Sequence, residues 1–511
     1  MMEERRNLDV LICGAGACGL VLALDLARRD VRFRIIEKNP RPFPGSRGKG
    51  LQPRTLEVFE DLGVLDRVVA AGGSYPPLRS YDQDGRWTDQ PVEEAGPASA
   101  DRPYLLPVMV PQFLTERILR ERLGEFGERV DFGCELTDFK QDASGVTARL
   151  QTDHGVEHVR ASYLVGADGG RSFVRRALKV GFPGQTLGVR AIVADVSLRG
   201  LDRAVWSQFN AGRPDRLLMI CPLRGTDLFQ IQAPIGPAEP SDLSVDGLQH
   251  MVRDRTGQDD IEVEAVAWAS AYAMNARLAD HYRIGRVLLS GDAAHIHPPT
   301  GGQGLNTSVQ YAYNLGWKLA AVLRGAPDRL LDTYAEERRP IAAQVLGLSR
   351  RLLDGHGQKD SLKRGPETQQ LDIGYLSSSL SLEGRKSPGL VPAGARMPDA
   401  LLIGAAGQKR RLFDVMAGPQ WTLLRSTPIE SGAAPARAGI RTATVGSETE
   451  LRDPENQLGL QDGQCLLIRP DGYVGAAFDA DADDRVKAYL DEVVGPSSPP
   501  EKRRGGSAPK A

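Results

Sequence analysis

Leu8-Asp9-Val10-Leu11-Ile12-Cys13-Gly14-Ala15-Gly16-Ala17-Cys18-Gly19, continued by Leu20 to Arg29 and by Phe33-Arg34-Ile35-Ile36-Glu37, is the stretch from which the fold is read. Leu8 to Cys13 is a short apolar run, Gly14 to Gly19 spells G-x-G-x-x-G, Leu20 to Arg29 has helical character, and Phe33 to Ile36 is a second apolar run closed by Glu37. Strand, glycine turn, helix and strand make a β-α-β unit. Glycine permits a tight turn and close backbone approach, and the helix start offers unpaired amides and a positive dipole end. An acid eighteen residues past the last glycine can accept ribose hydroxyls. Such a hexamer alone is weak, but here the strand before it, the helix after it and the acid agree. Gly14, Gly16, Ala17, Cys18, Gly19, Glu37 and its neighbour Lys38 are read as dinucleotide contacts rather than an ordinary turn.

Outward from this unit, Thr55 to Leu65 carries helical spacing, Ser74 to Pro107 is rich in Pro, Gly and Asp and reads as irregular, and Phe113 to Leu123 reads as a helix. Val130 to Leu136, Val146 to Gln151 and Tyr163 to Ala167 read as strands. From Gly181 to Ala273 the pattern is that of a mostly β insertion, clearest in Leu217 to Pro222 and Leu228 to Ala233. A strand at Arg286 to Ser290 leads through a Gly/Pro-rich loop into a long helix from about Asn306 to Leu323, and a further helix covers about Leu330 to Leu353. The expected division is a discontinuous nucleotide-binding domain (1–75, 106–180 and 276–350), a substrate domain (76–105 and 181–275), a linker (351–395), a small α/β module (396–494) and a disordered tail (495–511).

Composition narrows the partners. The chain has 511 residues, which at roughly 150 per domain suggests about three domains, and 41% of them are hydrophobic, enough for ordinary globular cores. Lys+Arg 64 against Asp+Glu 66 leaves a net charge of -2, far from the basic excess of a phosphate-backbone binder, so nucleic acid is excluded as a partner. The longest uncharged apolar stretch, Val10 to Leu24, holds three glycines and is closed by Asp25, which is short of a membrane span. The flank Glu3-Glu4-Arg5-Arg6 carries acids, unlike a secretory leader, and the chain reads as cytoplasmic. Cys13, Cys18, Cys134, Cys221 and Cys465 form no C-x-x-C and no metal spacing, so neither a disulfide framework nor a metal site is expected.

Two further motifs carry chemistry. Gly166-Ala167-Asp168-Gly169-Gly170-Arg171-Ser172-Phe173-Val174-Arg175 is a strand running into a turn and a helix start, with more phosphate-type donors. Taken alone, a capped turn with a solvent-facing Arg is the better reading. Gly291-Asp292-Ala293-Ala294-His295-Ile296-His297-Pro298-Pro299-Thr300-Gly301-Gly302-Gln303-Gly304-Leu305-Asn306 joins an acid at a strand end to a loop whose amides open a long helix. That suits a ribityl hydroxyl on Asp292 and a partial negative charge near Gly304 to Asn306. His295 and His297 lack a third ligand and read as packed loop histidines.

In this order and spacing the three motifs resemble the single-component flavin monooxygenases of the para-hydroxybenzoate hydroxylase fold, in particular the phenol hydroxylases and the polyketide or rifamycin-type hydroxylases. The resemblance covers Leu8 to about Arg350 and takes in Arg47, Arg54-Thr55-Leu56-Glu57, Gln112 and Asn314 to Ala320. Pro392 to Pro398, Trp421 to Leu424 and Arg469 to Tyr473 look like the third domain of that branch. It implies an α/β fold: a Rossmann-like FAD-binding domain, a mostly β substrate-domain insertion and a C-terminal thioredoxin-like domain. It further implies FAD, NADPH or NADH as co-substrate, and hydroxylation of an electron-rich phenolic or polyketide-type aromatic by O2 through a flavin hydroperoxide.

Residue by residue, the resemblance implies that Glu37 holds the adenosine ribose, Gly14 to Gly19 the pyrophosphate and Asp292 the ribityl chain. Arg47 and Gln112 would contact FAD from the side, and Leu136 the adenine region through its backbone. Gly302, Gly304, Leu305 and Asn306 would surround the isoalloxazine, with Pro298 beside it. Asp168 with Arg175 would serve both FAD and transient nicotinamide contacts. Arg47 and Gln112 have surface-polar rivals, and Trp317 a plain core one. The chain departs from the pattern at Ala17, where Pro is usual, and at Tyr311, where Asp is common.

Oxygen transfer needs a dry site, which argues for an apolar pocket. Trp206, Phe209, Met219, Phe229, Trp268 and Met274 are candidate wall residues, with core packing as their rival. No catalytic base is identified, and a structural role is the better reading for Tyr272 and His281. Baeyer-Villiger or epoxidising chemistry on the same fold, and a flavoprotein that binds a hydrophobic metabolite without turnover, stand as alternatives. A homodimer is allowed. Cys465, alone in its module, points to packing or oligomerisation rather than dithiol exchange.

Overall fold

The computed structural model describes residues 7–92, 99–237, 239–298, 302–354, 368–427, 439–446, 450–479 and 482–496. Pro299 to Gly301 of the third motif, residues 355–367 of the expected linker and the tail from 497 lie outside the described residues. The chain divides into two compact units, one of residues 1–320, 331–374 and 417–419, the other of 321–330, 375–416 and 420–511.

In the first unit, the apolar run Asn7–Cys13 is a central strand. It lies parallel between Phe33–Glu37 on one side and Gly155–Gly166 on the other, and Val287–Leu289 follows beyond the latter. Val10, Leu11 and Ile12 are all fully buried, as a parallel strand covered on both faces requires. The helix Ala17–Ala27 covers the sheet with nearly every residue buried, and packs on the helix Gln112–Glu125. Register positions the chemistry: Cys13 pairs with Gly166, and Gly166 with Leu289. The three motifs therefore leave three neighbouring strands at one carboxyl edge, where open α/β sheets hold ligands.

A second, eight-stranded sheet contains the long antiparallel pair Gly184–Arg199 and Glu262–Leu278. Alternate side chains take opposite faces. Ile192, Ala194, Val196, Phe209, Leu218, Ile220, Phe229 and Ile231 pack with Leu248 and Val252 of the helix Val245–Thr256 into one core. The other face carries Asp195, Trp206, Met219 and Cys221. It also carries Trp268, Tyr272 and Met274, alternating with Ala269 and Ala271 of the packed face.

Three features differ from the sequence reading. The helix Val245–Thr256 interrupts a segment expected to be β, started by Ser244, whose hydroxyl accepts the amide of Gly247 at 3.1 Å. Leu78–Tyr81 and Trp87–Gln90, in a stretch read as irregular, form a hairpin joined to this sheet, with Arg79 gripping Asp89 at 2.8 Å across the strands. Residues 368–370, within the expected linker, are buried against the helix Gln303–Leu323. There Gln303 donates to the Thr368 carbonyl at 3.1 Å and Gln370 to the Thr307 hydroxyl at 3.1 Å.

The second unit holds a five-stranded mixed sheet in the order Leu382–Gly384, Val474–Phe478, Cys465–Ile468, Thr422–Arg425, Arg441–Thr444, with the helix Ala482–Val494 against it. Cys465 is buried in that sheet, and burial pushes its thiol up to about 11. Among the described residues no helix is long and apolar enough to cross a membrane.

Candidate active site

The three glycines of the first motif do different work. Gly14 has φ +108°, and a Cβ there would fall 2.3 Å from the Ala167 carbonyl oxygen; a Cβ on Gly19 would fall 2.0 Å from the Gly14 oxygen. Both are required by the chain's own close packing. Gly16 is different: the nearest atom to its Cβ position is Oε1 of Glu116 at 3.8 Å, and as a glycine it places no capping side chain of its own over the helix it starts. That open cradle at a helix start fits a diphosphate. Glu37 accepts the Ala15 amide at 3.2 Å and, through its other oxygen, the Asn39 amide at 3.0 Å, so its carboxylate is fixed beside the loop. Lys38 is exposed, and Leu136 is buried opposite Leu150 in the neighbouring hairpin.

The second motif is tied to the third. Asp168 accepts the Val174 amide at 3.1 Å, and the guanidinium of Arg175 reaches the carbonyls of Ala293 and Gly170, each at 2.8 Å, while lying 3.7 Å from the Phe182 ring. Arg175 therefore points inward, not to solvent. Cys18 packs against Gly291 and its sulfur lies 3.1 Å from the Ser290 hydroxyl, joining the first motif to the third.

Asp292 is open to solvent yet ringed by protein on most sides, the condition of a group on the wall of a deep cleft. The surrounding protein raises its carboxyl and the positive charge of Arg47 opposes that shift. The same Arg47 charge reaches Tyr272, whose hydroxyl burial pushes up to about 12. Arg47 itself is exposed, 5.5 Å from the Phe43 ring and 6.0 Å from that of Trp268. Asp292 and Tyr272 thus both lie within reach of the Arg47 charge, with the Trp268 ring beside the same guanidinium.

The loop bearing Arg47 is fastened on both sides. Gln112 accepts the Gly48 amide at 3.4 Å and donates to Glu116 at 2.8 Å. Ser46 donates to Asp195 at 2.6 Å, and Lys49 donates to Gln230 at 2.9 Å with its ammonium 4.3 Å from the Trp206 ring. These bonds join the loop to the open face of the second sheet.

At the start of the long helix, the fully buried Asn306 accepts the Gln52 amide at 2.8 Å and donates to the carbonyls of Gly50 at 2.9 Å and Gly302 at 2.6 Å. Its side chain is a strut, and Gly302 turns with φ +64°. Leu305 approaches Gly48, Gly304 approaches His297, and Pro298 is buried. His297 and His295 lie 3.2 Å apart through ring nitrogens, and burial pushes His297 down to about 4. Tyr311 is fully buried, its hydroxyl 3.0 Å from that of Tyr282 and its ring 4.9 Å from the Arg338 guanidinium, so an aromatic cluster occupies the place of the usual carboxylate.

Of the six apolar candidates, Phe209 and Phe229 belong to the core on the far face of the second sheet, and Trp206 and Met219 are buried in a smaller cluster on the near face. Trp268 and Met274 are partly exposed on that near face. His281 is exposed. The sequence reading passed over Glu116 and Asp195. The signal for Glu116 is its i, i+4 spacing from Gln112 on one helix face; for Asp195 it is a lone acid in a strongly apolar strand.

Comparison with known proteins agrees with this geometry. Residues 7–349 match the FAD binding domain family, and residues 392–497 match the aromatic-ring hydroxylase C-terminal family. A flavin-dependent monooxygenase of Mycobacteroides abscessus is 42% identical over 95% of this chain and all of its own length. A rifampicin monooxygenase of Streptomyces venezuelae is 37% identical, covering 91% of this chain and 94% of that protein. The ternary complex of aklavinone-11 hydroxylase with FAD and aklavinone superposes with a TM-score of 0.81 at 28% identity, over 95% of this chain and 99% of that one. The chain belongs to the family of FAD-dependent aromatic-ring monooxygenases.

Proposed function

We propose that this FAD-dependent enzyme hydroxylates a flat, electron-rich phenol, bulky or polycyclic rather than a simple benzoate, with NAD(P)H and O2 as co-substrates. The observation that carries the reading is that one guanidinium, Arg47, acts on both Asp292 and Tyr272 and lies beside the Trp268 ring. That a rifampicin monooxygenase and an aklavinone-11 hydroxylase are among the relatives supports a polyketide-type aromatic substrate.

Bound FAD supplies electron transfer from NAD(P)H and the activation of O2. The chain supplies position. In this reading Gly14 to Gly19 and Glu37 hold the adenosine diphosphate half, with Lys38 and Leu136 toward adenine. Asp292 takes the ribityl chain, and Arg47 and Gln112 close the side. Pro298, Gly302, Gly304, Leu305 and Asn306 would hold the isoalloxazine, with Asn306 also bracing the Gly302 and Gly50 carbonyls. Asp168, on the turn pinned by Arg175, would serve both FAD and transient contacts with the nicotinamide co-substrate. Trp268 and Met274 form an apolar wall that limits water, and Tyr272, which keeps its proton at neutral pH, orients the phenolic oxygen by donating to it. All five cysteines are thiols rather than disulfide sulfurs, which fits a reducing, cytoplasmic setting.

The test compares NAD(P)H oxidation, product mass and peroxide for bulky phenols, their methyl ethers and simple ketones. Phenols are expected to stimulate oxidation and to gain one oxygen. A heavier product from the ketone alone would reassign the chemistry to Baeyer-Villiger insertion, and binding without NAD(P)H consumption would leave a metabolite binder.

A further inference from the structure

Glu116 lies on the helix Gln112–Glu125 and is 1% exposed. Its Oε1 accepts Gln112 at 2.8 Å, its carboxylate accepts the backbone amide of Ala17, and Oε1 is the nearest atom to the open side of Gly16, at 3.8 Å from the Cβ position. The charged groups that act on it are Arg120, on its own helix, and Glu37, at the end of the neighbouring strand, which opposes it. Among the described residues no ion pair is formed by Glu116. A carboxyl buried without a paired cation, beside a cradle shaped for an anion, is costly when ionised.

We infer that Glu116 is a positioning residue that couples retention of FAD to a single proton: neutral, it lets the diphosphate settle at Gly16, and ionised, it repels it. This rests on the placement of the diphosphate at Gly14 to Gly19 proposed above. Burial places the carboxyl near neutrality, at about 7. The sign follows from linkage: an anionic ligand stabilises the protonated form, so binding takes up a proton from solvent, and affinity is full below the free-state value and falls as pH rises through it. Gln112 carries the effect outward, since one amide side chain holds both Glu116 and the Gly48 amide of the Arg47 loop.

The experiment measures FAD release from the holoenzyme by flavin fluorescence after dilution, between about pH 6 and about pH 9, for wild type, Glu116→Gln and Glu116→Leu. Wild type is expected to hold FAD about 3–10-fold more weakly at the alkaline end, and both neutral variants to show flat profiles. A flat wild-type profile overturns the proposal without recourse to any variant, and so does a Glu116→Gln profile that keeps the wild-type slope. Protein that holds no FAD at any pH overturns the placement of the diphosphate, and the proposal with it.

Discussion

Alanine at Gly14 and alanine at Gly16 separate the fold from the cofactor. At Gly14 the new Cβ would lie 2.3 Å from the Ala167 oxygen, 2.6 Å from its carbon and 2.9 Å from the Asp168 nitrogen. All three are backbone atoms of the turn that directly follows the neighbouring strand, so relief requires parting the two motifs at the sheet edge where they meet. The residue must also hold φ +108°. A strained backbone costs about 1–3 kcal/mol and overpacking of this kind a similar amount, giving roughly 2–6 kcal/mol of lost stability. Gly16 has an extended backbone, φ -73° and ψ 179°, that alanine adopts freely, and a Cβ contact no closer than 3.8 Å. Gly16→Ala is therefore expected to change stability by less than about 0.5 kcal/mol. It intrudes on the open cradle, and FAD affinity is expected to fall at least about tenfold, or ~1.4 kcal/mol. Thermal unfolding without added FAD, paired with FAD titration, reads the two effects. A Gly16→Ala protein that binds FAD like wild type, or a Gly14→Ala protein that unfolds like wild type, refutes the division of labour.

Tyr272→Phe is expected to raise KM for a phenolic substrate about 3–10-fold, the loss of one hydrogen bond, while steady-state pH profiles keep their alkaline limb, because a hydroxyl pushed up to about 12 does not titrate in the working range. Asn306→Ala removes the partners of the Gln52 amide and the Gly50 and Gly302 carbonyls, and denaturant unfolding is expected to show a loss of about 2–4 kcal/mol. Cys465→Ser places a hydroxyl in a buried strand and is expected to cost about 1–2 kcal/mol of stability with turnover and FAD content unchanged. Lost turnover in that variant with stability intact would assign Cys465 a chemical role.

The glycine motif was legible because its parts are local: an apolar run, a turn that only glycine fits, a helix and an acid within one β-α-β unit. The likeness in order and spacing then assigned Asp168 and Asp292, as an expectation, to the same ligand. Their meeting at one edge depends on strand register, Cys13 with Gly166 and Gly166 with Leu289, which no local pattern contains. The pocket wall was less legible for a related reason. Phe209, Phe229, Trp268 and Met274 are alike in hydrophobicity, and only strand parity separates them. The register breaks at Asp195/Val196 and Ser197/Leu198 shift that parity, and the helix Val245–Thr256 decides which face is covered. Glu116 shares a helix face with Gln112, a pattern visible in the sequence, but its significance appears only where that helix meets the glycine loop.

The most direct test of the account is turnover of a bulky phenol with NAD(P)H under isotopically heavy O2, with the product analysed by mass. The account predicts one heavy oxygen atom on the aromatic ring for each coupled NAD(P)H consumed, dependent on bound FAD. A product whose oxygen comes from water, or NAD(P)H oxidation that yields only peroxide with every aromatic tested, would contradict it.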